Sequence, residues 1–496
     1  MNKINFLLFQ LDVISLFPEI FLAFSFLIIL LYGCFQVVIA TKLYTYLNPI
    51  IARLTLISLI LSLILLCNNP VIIFQTIWNG TFVIDDSSVI LKIIVILSII
   101  FCLLLVEDYL FLAKIRPYEI FVFFIGIALS LFLLISSYDL LSIYLNLEFL
   151  SLIFYILAAW KKSSSFSAEA GLKYFILGSL ASIFFLFGAS FIYLATGTTN
   201  LGALALIFDK LNAFSIIIGL GLTCLVSSLL FKLGCAPYHM WVIDIYEGSP
   251  TIVGLTFASV PKIALISVIL KLVFISSWNF FYDLWENLFL SCALLSLFFG
   301  SLGGLGEIKL KRVLGYSAIG HIGFVCLGLA CGNLEGIHSV FMYIFIYILT
   351  SIYMWAYLLY LKPTKKKLLS LVDSVGLMRS NPILAFITCL MFFSLAGIPP
   401  FGGFFAKMLV FLALIDSYFF IVCILAIFAS VISAFYYVRL IKILYFEKSK
   451  TWIHFYSLTK THAFVLSLVS FITLFFVCNP NIFYLIAYKL SLSFFI

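Results

Sequence analysis

Charge is what this chain has least of. Asp, Glu, Lys and Arg make up 10% of its 496 residues, against about 25% in a water-soluble globular chain, so a soluble fold of this length is excluded. No polar stretch of tether length occurs, which leaves little room for separately folded domains on linkers. The eleven cysteines contain no Cys-x-x-Cys. The closest pair is Cys326 with Cys331, and thiols scattered through apolar runs read as packing residues, not as a disulfide or metal framework. Metalloprotease, phosphate-loop, nucleophile-elbow and dinucleotide motifs are all missing. At the N-terminus neither a presequence rich in Arg and Ser nor a cleavage site after a short apolar core is present, so the first apolar run is expected to stay as an uncleaved helix.

What remains is apolar: 65% hydrophobic and 18% aromatic residues. Runs of about 20 such residues, enough to cross the hydrocarbon core of a bilayer, lie near 14–34, 50–67, 88–106, 119–137, 139–159, 172–195, 214–235, 250–274, 286–306, 312–331, 335–361, 381–415, 417–444 and 463–488. The expected fold is an all-α integral membrane protein with about fourteen transmembrane helices. The ten-residue alternation of a membrane barrel is not seen, and a helix satisfies its backbone polar groups internally. Between the runs, 68–88 is read as a loop with a solvated Asp85–Asp86 pair. In 196–212, Leu201, Leu204, Leu206, Ile207 and Leu211 predict a short interfacial helix.

The basic residues give the topology. Nineteen fall on the loops after odd-numbered helices or on adjoining helix ends, among them Lys42, Lys114, Arg116, Lys161, Lys162, Lys309, Lys311, Arg312, Lys362, Lys365, Lys366, Lys367, Lys448 and Lys450. Only Lys3, Lys210, Lys271 and Lys489 fall on the other face. Basic residues stay on the side from which insertion occurs, so both termini are expected on the outer, non-basic side. The net charge of +8 is thus a topology signal, and no nucleic-acid partner is expected.

Against this background the ionisable residues inside apolar runs stand out. Lys92 sits near the outer end of helix 3 and is expected to snorkel. Lys173 lies at the start of helix 6 beside Glu169. Lys232, Lys262 and Lys407 are deeper, and a lysine near the bilayer centre costs about 2.5 to 3.5 kcal/mol on insertion scales. Glu148 is the one acid read near the middle of a run, so pairing cannot neutralise three lysines. Such a set points to a charge pathway in which Lys232 gains and loses Glu148 as neighbour. A structural scaffold would not carry these costs.

Two runs break their own helices: one at Pro237, and one at Pro399 and Pro400 with Gly397, Gly402 and Gly403 around them. The breaks lie in helices 7 and 12, five helices apart, as two inverted five-helix repeats (helices 4–8 and 9–13) would place them. Interrupted segments at matching positions of two halves point to an ion path. The chain therefore divides into an N-terminal three-helix segment (1–115), two repeats forming proton half-channels (116–275 and 276–446) and a C-terminal helix (447–496). His239 and His321, one on each of two helices, read as polar relays along a secondary axis in preference to haem ligands.

At these residues the chain resembles the antiporter-like membrane subunits of respiratory complex I, in the form of the mitochondrial subunit 2 group. The resemblance rests on Glu169-Ala170-Gly171-Leu172-Lys173-Tyr174-Phe175, on His239-Met240-Trp241 followed by Asp244-Ile245-Tyr246-Glu247-Gly248-Ser249-Pro250, on Pro261-Lys262-Ile263, on Tyr316-Ser317-Ala318-Ile319-Gly320-His321 and on Leu395-Ala396-Gly397-Ile398-Pro399-Pro400. It runs from about helix 4 to helix 13. It departs from the pattern at Val242-Ile243, where relatives often carry a proline after the tryptophan.

The resemblance implies that Glu148, Lys173, Lys232, Lys262 and Lys407 are the proton-translocating residues of helices 5, 6, 7, 8 and 12. It also implies that electron transfer from NADH to ubiquinone takes place elsewhere. This chain would then hold no cofactor, with NADH, FMN, iron–sulfur clusters and ubiquinone in partner subunits. Other membrane-arm subunits, including neighbouring antiporter-like ones, and lipids would be its partners. The mitochondrial inner membrane is the expected location, with both termini in the intermembrane space, and a bacterial plasma membrane is the alternative. A cation/proton antiporter of the same fold is the alternative function.

Overall fold

In a computed structural model, residues 12–39, 44–68, 75–113, 118–208, 210, 216–275, 277–278, 281–361, 370–375, 377–447 and 458–495 are described. The protein is an all-α integral membrane protein. Among the described residues, twelve helices are long and apolar enough to cross a membrane. Helices 1 to 6 are Phe17–Ile39, Tyr44–Cys67, Asp86–Ala113, Glu119–Ser136, Leu140–Ala158 and Ser165–Thr196. Helix 7 consists of Ile216–Leu233 and Met240–Gly248. Helix 8 runs Thr251–Ser259, Pro261–Leu270 and a π-turn at Lys271–Ile275. Helices 9, 10 and 11 are Tyr282–Leu305, Leu310–Ala330 and Leu334–Tyr360, and helix 13 is Phe420–Tyr445.

Two of the fourteen expected crossings are assembled from short helices. Helix 12 is Pro382–Ala396 followed by Gly402–Asp416, as its prolines predict. Helix 14, expected to be continuous, is Lys460–Phe475 followed by Asn481–Phe495. Pro480, which has no amide hydrogen to donate, stands at that interruption. Much of the basic loop set (Lys42, Lys114, Arg116, Lys362, Lys365, Lys366, Lys367, Lys448, Lys450) lies outside the described residues, as do Lys3 and Leu211.

Apolarity alone cannot rank helices in a membrane, because lipid is as apolar as a leucine-rich core. Packing does rank them. Helices 11 and 8 are 94% and 89% buried along their spans, and helix 13 only 22%. The central pair therefore sets the environment of Lys262, which projects from helix 8 toward helix 11.

Several expectations need correction. Helix 6 begins at Ser165, so Lys173 sits two turns inside it, and its ammonium pairs with Glu169 one turn back at 2.8 Å. Lys92 does not snorkel. It is 1% exposed and bonded to Glu19 of helix 1 at 2.5 Å; the side chain meets a buried carboxylate before it could reach the interface. Lys271, read as a helix-end charge, is also buried, because the π-turn carries it under the end of helix 4, where it donates to Ile135 O and, at 3.2 Å, to Ser137 O. Asp85 and Asp86 are not simply solvated. Asp85 accepts from Ser88 N at 2.9 Å and Ser87 Oγ at 2.7 Å, capping helix 3, and Asp86 pairs with Lys489 at 2.6 Å. The preceding segment holds an unanticipated hairpin, Gln75–Ile77 against Phe82–Ile84. The short helix expected in 196–212 is present as Leu201–Phe208. The cysteines are unpaired, most of them buried, but Cys34, Cys67 and Cys478 are exposed on helix faces or at the helix 14 interruption.

The Glu19–Lys92 pair yields a first prediction. Removing one partner of a buried ion pair leaves the other charge uncompensated and typically costs about 3 to 5 kcal/mol, whereas an apolar pair of similar volume is often neutral or better. Glu19→Ala should therefore lower the thermal stability of the assembled protein, and Glu19→Ala with Lys92→Met should recover most of it. Equal loss in the single and double variants would show that the charge pair is not what holds helices 1 and 3 together.

Candidate proton pathway

Both helix breaks have the same local construction. At the end of the first half of helix 7, Gly234 takes φ +79° and its amide donates to Phe231 O at 2.9 Å, while Cys235 N reaches Leu230 O at 3.0 Å. In helix 12, Gly397 takes φ +82°, and both its amide and that of Ile398 bond to Phe393 O, at 3.0 and 3.1 Å. A glycine in the left-handed region with such a bond five residues back terminates an α-helix while satisfying its last carbonyls. Ala236–Pro237 and Pro399–Pro400 follow, both cis. Trp241 Nε1 donates to Phe231 O at 2.8 Å, tying the second half of helix 7 to the end of the first. The Val242 departure is compatible with this turn: its amide, which proline would lack, donates to His239 O at 3.0 Å.

The two lysines use their breaks differently. Lys407, in the second half of helix 12, turns back to the buried carbonyls at the end of the first half, donating to Ala396 O at 2.8 Å and Leu395 O at 3.4 Å. Gly397 is needed here for space as well as for its φ, since a Cβ would sit 2.8 Å from Lys407 Cδ and 3.0 Å from Nζ. Lys232, on the first half of helix 7, reaches across to helix 5 and donates to Leu147 O at 3.3 Å. That carbonyl precedes Glu148, whose Oε2 accepts from Ser151 Oγ at 3.4 Å and whose buried Oε1 has no hydrogen-bond partner among the described residues. Lys232 thus bonds the carbonyl adjacent to Glu148, and among the described residues no ion pair closes between the two.

Lys262 lies at the centre. It follows Pro261 in helix 8, is 3% exposed, and donates to the Tyr347 hydroxyl of helix 11 at 2.7 Å, with its Nζ 4.2 Å from the centroid of the same ring. Among the described residues no carboxylate lies within ion-pair distance of Lys232, Lys262 or Lys407. Tyr347 in turn lines a small cavity with Thr350, Ser394, His321 and Lys407. A second cavity on the other side of His321 and Lys407 is lined by Ser301, Ser317, Ser433 and Tyr437 as well. Each has a volume of about 10 Å³, room for about one water, with the polar partners a buried water requires. His321 itself is held by two tyrosines, Nδ1 to Tyr343 Oη at 2.8 Å and Nε2 to Tyr437 Oη at 3.3 Å.

The structure thus bonds Lys262 to Tyr347, which lines a cavity shared with His321 and Lys407, and brings Lys232 to the carbonyl next to Glu148. It does not bring every expected residue into that line. No hydrogen bond joins Lys232 to Lys262. His239 is buried, stacked on Phe299 at 4.8 Å, and its Nδ1 has no hydrogen-bond partner among the described residues. Lys173 lies at the edge, its side chain 43% exposed, bridging Glu169 and Asp244 at 2.8 and 2.9 Å. Reasoning from residues missed Tyr343, Tyr347 and Tyr437. A signal was available for the first two, because Tyr343, Tyr347 and Thr350 at i, i+4 and i+7 mark one helix face.

The comparisons with known proteins fit this arrangement. Residues 137–433, which include both breaks, Glu148, Lys173, Lys232, Lys262 and Lys407, match the family described as NADH:quinone oxidoreductase/Mrp antiporter, TM. The chain belongs to this family. Within it, the chain is 37% identical to NADH-ubiquinone oxidoreductase chain 2 of Marchantia polymorpha, over 98% of this chain and 99% of that one. It is 36% identical to NADH-quinone oxidoreductase subunit N of Pelagibacter ubique, over 91% of each. Among solved structures, a chain of respiratory complex I from Thermus thermophilus with bound aureothin superposes with a TM-score of 0.77 at 27% identity, covering 94% of this chain and 98% of that one. The family member described here thus spans nearly the whole length of its relatives, helices 1 to 3 and 14 included.

Proposed function

We propose that this chain moves protons along an axis from Glu148 and Lys232 through Lys262 to Lys407, as an antiporter-like membrane-arm subunit of an NADH:ubiquinone oxidoreductase. Electron transfer belongs to other subunits, where NADH, FMN, the iron–sulfur clusters and ubiquinone are held. The observation that carries the reading is the Lys262–Tyr347 hydrogen bond opening onto a cavity shared with His321 and Lys407. A hydroxyl can accept a proton from one side and donate on the other, and one water in each cavity would extend the wire across His321. Lys407 lines both cavities that flank His321, and Lys262 bonds to Tyr347 on the first of them. With no carboxylate within ion-pair distance of either lysine among the described residues, a proton arriving at one is felt at the next.

In this reading residues 116–275 and 276–446 are two half-channels, flanked by the three-helix segment 1–115 and the C-terminal segment 447–496. Protons enter from the basic face, where Lys173 with Asp244 and Glu169 is placed to deliver them, and leave past Lys407. Neighbouring antiporter-like subunits and lipids contact the outer helices. In a mitochondrion the basic face is the matrix side of the inner membrane, and both termini lie in the intermembrane space. The family also contains antiporter subunits, and co-purification with redox subunits separates that alternative from the present one.

Lys232→Ala tests the path at its Glu148 end. With proton pumping and NADH:quinone turnover recorded together in proteoliposomes, pumping should fall about tenfold or more, equivalent to about 1.4 kcal/mol or more of barrier, while the complex still assembles. Unchanged pumping in an assembled complex would reduce Lys232 to a structural charge.

A further inference from the structure

Between helices 3, 11 and 14 lies a cavity of about 440 Å³ with an almost wholly apolar lining. It follows helix 3 from Ile90 to Phe101 and is also lined by Phe345 and Ile352 of helix 11 and by Ile472 and Ile486 on the two halves of helix 14. Helix 14 leaves this space because it is interrupted between Phe475 and Asn481.

We infer that this cavity holds one acyl chain of a membrane glycerophospholipid whose phosphate sits beside Lys489. Three observations converge. Eleven residues of helix 3 separate Ile90 from Phe101, a rise of about 16 Å, which is roughly half of a 30 Å hydrocarbon core and so the depth of one leaflet. Next, the mouth lies at the leaflet surface: Asp86, which opens helix 3 one turn before Ile90, pairs with Lys489, one turn beyond Ile486, and both side chains are more than half exposed. A phosphate would have to share Lys489 with Asp86 or take its place, which the exposure of both side chains allows, on a face that otherwise has few basic residues. Finally, the flank is open to hydrocarbon, with Leu97 43% and Ile482 60% exposed. A chain can enter sideways from the bilayer. An apolar lining does not retain water, and an empty void would forgo dispersion contacts along its whole length. The inference is independent of the proton-path reading, since none of these residues lies on that path.

A phospholipid with a photoactivatable diazirine in its acyl chain, reconstituted with the assembled complex, tests it. Cross-links should map to 90–101 and 472–486, compete with unlabelled phospholipid, and be lost in Ile94→Trp or Ile486→Trp, which fill the space. Lys489→Ala should weaken labelling there without shifting it elsewhere. The wild-type map decides even if a tryptophan variant fails to assemble. No label at these segments, labelling competed by an isoprenoid quinone but not by phospholipid, or a helix of another subunit seated in the cavity would each overturn the assignment.

Discussion

Lys262→Met should abolish proton pumping and coupled turnover while leaving the complex assembled and no less stable. Methionine keeps most of the lysine's volume, so the packing between helices 8 and 11 is preserved. What it removes is a buried ammonium that donates to one hydroxyl at 2.7 Å and that has, among the described residues, no carboxylate in ion-pair range. A cation so placed is costly in the membrane interior, and an apolar replacement should leave the melting temperature unchanged or higher. A residue kept for structure would show the opposite pattern, with stability lost and transport little altered. Pumping assays and thermal unfolding of the same preparation therefore separate the two roles. Tyr347→Phe should produce a milder version: the ring stays under the ammonium at 4.2 Å while the hydroxyl that links Lys262 to the His321 cavity is gone. Normal pumping in Lys262→Met would remove the centre of the proposed axis.

The second large effect is expected from Gly403→Val. A Cβ at this position would stand 1.8 Å from the carbonyl oxygen of Ser394, and backbone cannot rotate away as a side chain can. The two halves of helix 12 would have to separate, drawing Lys407 off the Ala396 and Leu395 carbonyls. Overpacking typically costs about 1 to 3 kcal/mol and more where backbone meets backbone, so little assembled complex should be recovered, and any that forms should pump poorly. Gly306→Ala is the control. Gly306 ends helix 9 at φ −85° with nothing within 4 Å of an added Cβ, and it should be neutral. Similar yields of the two variants on native gels would show that the close approach in helix 12 is dispensable.

Much of this was legible beforehand, for identifiable reasons. Spanning helices announce themselves because every residue must be apolar over a fixed length, and the breaks because Pro237, Pro399 and Pro400 cannot donate to a helix. Lys232, Lys262 and Lys407 stand out because charge is so rare around them. The interruption of helix 14 was carried by Pro480 as well, but without a neighbouring charge it drew no attention. Tyr343 and Tyr347 share a helix face with Thr350, but in a chain with 26 tyrosines which of them, and whether Tyr437, meet a histidine depends on how helices 10, 11 and 13 come together.

Composition and local pattern by themselves determined that the chain crosses a membrane, where its helices run and bend, and which ionisable residues are out of place. They did so because those properties depend on the medium and on neighbours within a turn. Only tertiary packing decided which charges meet. Lys92 found Glu19 across 73 positions, Lys271 found the end of helix 4, and Lys262 found Tyr347 across 85. A side chain near a helix end can reach water or a buried partner with equal ease, and in a bilayer an apolar helix face looks the same whether it meets lipid or another helix.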